Sequence, residues 1–285
     1  MTANHDLQSR LQAFVLQRAD TSLGTVQYRQ AGAPSSQATH VLLHGIGSGS
    51  GSWLMQLEAA VRQTHQVGVL AWEAPGYGAS SPVRPWAPLA RDYAAHLWCW
   101  LDTLGVRHPI TLVGHSLGAL MAARAVLAQP SRVARLVLLA PAQGYGQADA
   151  SLRQQKLNDR LHALHTLGPQ GMASRRGAAM LSSHASAQQL AFVQHIMAQV
   201  NPLGYTQAAK LLSQGKLAAD LKQSMVPLTI ASGRADGITP MAGCQSLAAD
   251  LNVPWHDLGD VGHACPLEGA RTVNALLGLE TQFTL

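Results

Sequence analysis

The chain has 285 residues, 47% of them apolar and 12% charged, enough to bury a core on both faces of a sheet and too apolar for extended disorder. Twenty Lys and Arg against fifteen Asp and Glu leave a formal charge of +5, but the basic residues are scattered and no aromatic residues interleave with a basic stripe, which argues against a nucleic-acid surface. Cys99, Cys244 and Cys265 lack paired spacing, which argues against a disulfide framework or thiolate metal site; with a polar start at Met1 to Arg10 and no long apolar run, a cytoplasmic protein without membrane contact is expected.

In chain order, Leu11 to Val15 and Thr25 to Tyr28 read as short strands around a turn at Thr21 to Gly24, and His40 to Leu43 as an apolar strand ending at Gly45. Trp53, Leu57, Ala60 and Val61 fall at helical spacing and predict a helix over Trp53 to Thr64. Val67 to Ala71 is the next strand, stopped by Pro75-Gly76-Tyr77-Gly78; Leu89 to Leu104 is helical, and Ile110 to Val113 is a strand entering Gly114 to Gly118. A helix over Leu117 to Ala128 and a strand over Arg135 to Leu139 continue the alternation, which implies right-handed crossovers and parallel pairing.

From Tyr145 to Ser224 the alternation lapses into helical pattern with breaks at Gly168-Pro169, Ser182-Ser183 and Asn201-Pro202. It resumes with a strand at Pro227 to Ala231, a helix at Met241 to Leu251, a strand at Pro254 to Leu258 and a helix from Pro266 to Leu277 before Gly278. The expected architecture is α/β, a doubly wound, mostly parallel sheet with an inserted helical cap: residues 1–144 and 225–285 form the core and 145–224 the cap.

Gly114-His115-Ser116-Leu117-Gly118 lies between a strand and a helix, where a G-x-S-x-G turn holds its serine in a strained conformation and presents Oγ above the strand ends. A serine needs a general base, and the base an acid that orients it and stabilises the imidazolium. Gly262-His263-Ala264 follows the last strand and Gly233-Arg234-Ala235-Asp236 the one before it, with Asp257 and Asp260 as rival acids and His256 and His115 as other histidines. His115 is expected to pack or to line a pocket. A further requirement is a pair of N–H groups for a developing oxyanion: Leu117 is one candidate donor and Ile46, in His44-Gly45-Ile46-Gly47, the other, with Gly47 as fallback. Gly49 and Gly51 are expected to let this loop approach a substrate.

Together with Ala74-Pro75-Gly76-Tyr77-Gly78-Ala79-Ser80, these motifs resemble the α/β-hydrolase family from about Phe14 to the C-terminus. The family order of serine, acid and histidine then selects Ser116, Asp236 and His263 as the catalytic set. The resemblance also implies that the Pro-Gly-Tyr-Gly loop shapes the pocket; Glu73 stands where the family usually has Asp. The His44 to Trp53 loop is similar to those of 3-oxoadipate enol-lactonases and ring-cleavage-product hydrolases. The latter, which break carbon–carbon bonds, carry Asn before the nucleophile and Trp after the histidine, whereas this chain has His115 and Ala264, so hydrolysis of an ester or lactone of a small carboxylic acid is the expectation. The chemistry needs neither metal nor cofactor. Carbon–carbon hydrolysis of ring-cleavage products, acyl transfer or peracid formation on the same triad, a non-catalytic ligand-binding role and homo-oligomerisation stay open, and Gly47, His115, Arg175 and Arg176 are substrate-binding candidates, the arginines as partners for a carboxylate.

Overall fold

A computed structural model describes residues 6–63 and 67–280. Thr64, the expected end of the helix that starts at Trp53, and residues 1–5 of the polar start lie outside the described residues. The described strands are β1 (Gln17–Thr21), β2 (Gly24–Gly32), β3 (His40–Leu43), β4 (Gly68–Trp72), β5 (Ile110–His115), β6 (Val133–Leu139), β7 (Leu228–Ser232) and β8 (Trp255–Asp257), in one sheet of order β1-β2-β4-β3-β5-β6-β7-β8. Pairing is parallel from β4 through β8, while β1 and β2 form an antiparallel hairpin at one edge.

The central strands alternate their side chains between two apolar layers. Val41, Leu70, Leu112, Leu136 and Ile230 face one layer, and Leu42, Val69, Val113, Val137 and Ala231 the other. Both faces must therefore be covered, which explains why these strands read as continuous apolar runs. The first layer is closed by α3 (Ala90–Thr103), α4 (Gly118–Ala128) and α9 (Met241–Leu251). The second is closed by α1 (Leu7–Leu11), α2 (Leu54–Arg62), α10 (Cys265–Glu268) and α11 (Ala270–Leu277).

Between β6 and β7 run α5 (Ala150–Arg176), α6 (Ala187–Ala198), α7 (Pro202–Gln214) and α8 (Leu217–Leu221). This insert spans both layers: Tyr205, Leu211 and Leu212 of α7 join the first, and Phe192, Val193 and Ile196 of α6 the second. Helix α5 bends where Gly168 takes φ 61 and ψ 176, immediately before Pro169. Among the described residues, no helix is long and apolar enough to cross a membrane.

Two expected elements differ. Leu11 to Val15 is not a strand: Asp6 caps a short helix by accepting a hydrogen bond from the Ser9 N–H at 2.7 Å, and that helix buries Leu7 and Leu11. The final helix is broken at Gly269 into α10 and α11, with Gly278 at φ 73 ending the second.

Candidate active site

Strand β5 leads directly into Ser116, whose φ of 52 lies in the left-handed region that side chains seldom adopt. Three main-chain hydrogen bonds hold it there: its N–H donates to the Leu139 carbonyl at 3.0 Å, and its carbonyl accepts from the N–H groups of Ala142 and Ala119 at 3.0 and 3.1 Å. The flanking glycines are steric necessities. A Cβ on Gly118 would lie 2.2 Å from the Leu43 carbonyl oxygen, and one on Gly114 would lie 2.7 Å from the Gly118 carbonyl oxygen.

The loops after β7 and β8 bring Asp236 and His263 together. His263 Nδ1 lies 2.9 Å from Asp236 Oδ2, with both side chains buried. Asp236 Oδ1 accepts from the N–H groups of Ile238 and Thr239 at 2.8 and 2.9 Å, and its Oδ2 accepts from the Thr239 hydroxyl at 2.8 Å. Burial alone would raise the Asp236 carboxyl. The hydrogen bond and charge of His263, with the Thr239 donors, outweigh that and hold it below its ordinary range. Both rival acids face Arg234 instead: Asp257 bonds Arg234 Nε at 2.7 Å, and Asp260 lies 3.8 Å from its Nη1. His256 is exposed on β8. Thr239, which also lies 3.1 Å from His263 Nδ1, was not singled out from sequence, although its place three residues after Asp236 suits a short side chain returning to its own loop.

His263 is fixed from behind. The Gly262 N–H donates to Glu268 Oε2 at 2.8 Å, and the Ala264 N–H donates to the Met180 carbonyl at 2.7 Å, which ties the histidine loop to the helical insert. His115 Nε2 donates to the His263 carbonyl at 2.8 Å, and the two rings stand 4.9 Å apart. Burial, reinforced by His263, pushes His115 down to about 3, so it stays neutral.

The N–H groups of Ile46, in the loop after β3, and of Leu117, at the start of α4, have no acceptor among the described residues. The Ile46 carbonyl accepts from the Tyr77 hydroxyl at 2.6 Å. The Pro-Gly-Tyr-Gly loop thus acts by bracing this turn; it does not line the cavity. Glu73 Oε1 accepts from the Ser50 N–H and hydroxyl at 3.0 and 2.6 Å. Gly49 and Gly51 serve packing, contrary to expectation: a Cβ on Gly49 would meet Glu73 at 3.0 Å, and one on Gly51 would meet Ile196 at 2.6 Å.

Ser116, His263, His115, Ile46 and Gly47 all line one cavity of about 270 Å³, which the insert helps to enclose. That is just below the range that holds drug-sized ligands. Arg176 lines it; Arg175 does not and is exposed, because neighbouring helical side chains point about 100° apart. Arg160 and Tyr205, neither anticipated from sequence, line it as well. No local pattern marks them, since they meet only through the packing of α5 against α7.

A family model described as the alpha/beta hydrolase family matches residues 41–276. The chain is 29% identical to a protein from Klebsiella pneumoniae described as carbamate hydrolase RutD, over 83% of this chain and 88% of the relative. It is 26% identical to a 2-hydroxy-6-oxononadienedioate/2-hydroxy-6-oxononatrienedioate hydrolase of Pseudomonas putida, over 84% and 86%. The crystal structure of the enol-lactonase from Burkholderia xenovorans LB400 shares the fold with a TM-score of 0.78 at 18% identity, covering 92% of this chain and 99% of that one.

Proposed function

The chain belongs to the alpha/beta hydrolase family, and on that premise we propose that it is a serine hydrolase cleaving an ester or lactone of a small carboxylic acid through an acyl-enzyme. The observation that carries this reading is that a strained serine and a carboxylate-paired histidine open onto the same cavity. In the proposed reaction His263 takes the Ser116 proton as Oγ attacks the carbonyl carbon, while Asp236 keeps the Nδ1 proton oriented and stabilises the imidazolium. The Ile46 and Leu117 N–H groups receive the oxyanion, each worth about 3 to 4 kcal/mol of barrier. The imidazolium protonates the leaving alcohol. Water, deprotonated by the same histidine, then frees the acid.

Residues 145–224 act here as a cap that closes the acyl pocket, and the free cysteines fit a reducing cytoplasmic setting. His115 and Ala264 stand where carbon–carbon hydrolases carry Asn and Trp, which favours the ester or lactone. The test is a panel of p-nitrophenyl esters and small lactones with wild type and Ser116→Ala. Wild type should turn over esters and react with a fluorophosphonate, and the variant should lose at least about 10³-fold in activity and fail to label. Retained activity in Ser116→Ala would overturn the assignment.

A further inference from the structure

Two guanidinium groups line the cavity with no carboxylate opposite them. Among the described residues, neither Arg160 nor Arg176 forms an ion pair with an acidic side chain, and no Asp or Glu lines the cavity. Arg160 donates only to the Lys156 carbonyl, at 3.0 Å, and lies over the Tyr145 ring at 5.5 Å. Tyr205, 2% exposed, lines the same space with no hydrogen-bond partner for its hydroxyl among the described residues. Its hydroxyl is raised by burial, and both Arg176 and Arg160 pull it back, so the phenol sits within the field of both cations.

The placement of the two arginines is a product of the bend. They are sixteen residues apart, a separation of about 24 Å along a straight helix. The turn at Gly168 and Pro169 lets one helix deliver both to one small cavity. Half-buried cations beside a phenol with no hydrogen-bond partner offer an anion in the cavity charge-assisted donors that no protein carboxylate uses. Met172 and Leu212 add apolar wall to the same cavity, which favours an anion that brings little hydration with it. A single carboxylate meets that condition better than a phosphate, which carries nearly two charges.

We propose that Arg160, Arg176 and the Tyr205 hydroxyl form a carboxylate subsite, and that the substrate is an ester or lactone whose acyl half ends in a free carboxylate. This rests on the hydrolase reading, in which the acyl half stays bound through both chemical steps while the leaving group departs. A dicarboxylic acid is then the product for a half-ester.

Two measurements test it. The first compares p-nitrophenyl hydrogen glutarate with its uncharged methyl ester by kcat/KM. Wild type should prefer the acid by at least about ten-fold, and the Arg160→Gln/Arg176→Gln double variant should lose that preference, as charge-assisted hydrogen bonds are worth that much. Arg175→Gln, outside the cavity, should keep it. The second is calorimetric titration with glutarate, which requires no turnover: wild type should bind, the double variant at least about ten-fold more weakly, with circular dichroism verifying that the variant is folded.

Preference for the methyl ester by a wild type that hydrolyses both would overturn the subsite and leave the hydrolase standing. Glutarate binding without turnover of any ester would overturn the hydrolase reading while retaining the anion site. Inorganic phosphate binding as tightly as glutarate would overturn the assignment to a carboxylate.

Discussion

The residues lining the cavity come from two sources, the loops at the strand ends and the helical insert, and different forces hold them. At the strand ends, glycines are dictated by close approach: Gly118 against Leu43, and Gly233, where a Cβ would lie 2.0 Å from the Val261 carbonyl oxygen. In α5 the bend glycine, Gly168, has nothing within 4 Å of an added Cβ, and only its backbone angles demand glycine. Helix α5 buries only Leu164, Met172 and Ala173 of its 27 residues, whereas β3 and β4 are buried throughout. The proposed chemistry is thus set in the over-determined part, and the proposed recognition in a helix that tolerates change.

That contrast can be broken in four ways. Asp236→Asn leaves the packing intact and should cost about 10³- to 10⁴-fold in kcat by fixing the wrong histidine tautomer; an ester assay in which it falls less than ten-fold would move the acid elsewhere. Gly118→Ala should destabilise by about 3 kcal/mol or prevent folding, read from urea unfolding, since main chain on both sides must move.

Acid should loosen the core through its buried histidines. His40 is lowered to about 4 and His115 to about 3, against an ordinary 6.5, and burial lowers His44 and His96 as well. Below pH 6.5 the unfolded chain binds protons that the folded chain refuses, so stability falls as pH drops toward 4, by about 1.4 kcal/mol per unit for each such group. Asp236, depressed below 3.8, has the opposite order of ionisation cost and loses its contribution only at lower pH, as its carboxylate is protonated. Urea midpoints that stay flat between pH 6.5 and 4.5 would contradict buried neutral histidines.

The smallest effect belongs to Gly168→Ala, about 1 to 2 kcal/mol of backbone strain with no clash. Its melting temperature should drop by only a few degrees. If the bend relaxes, the carboxylate preference should weaken while the elbow is untouched.

Much of this was legible in the chain. The elbow could be read because its requirement is local: strand, strained serine and two glycines within five residues leave few alternatives. The alternation of apolar strands with helices likewise announced a sheet covered on both faces. Leu11 to Val15 misled because a short apolar run does not say which element it belongs to: Leu11 ends the helix that Asp6 caps, residues 12–15 turn away from it, and the strand begins only at Gln17. Gly49 and Gly51 misled because glycine signals close approach without naming what approaches.

By itself, then, the sequence determined the buried strands of the parallel sheet, where the elbow lies and which imidazole and carboxylates follow the late strands, since periodicity and turn sterics act over a few residues. Only the tertiary structure decided that Asp257 and Asp260 turn to Arg234, that Tyr77 and Glu73 brace the loop after β3, and that Arg160 shares a cavity with Arg176 while Arg175 does not. Each of those depends on the relative placement of elements far apart in the chain, which is fixed by the burial of whole faces and by where a helix bends.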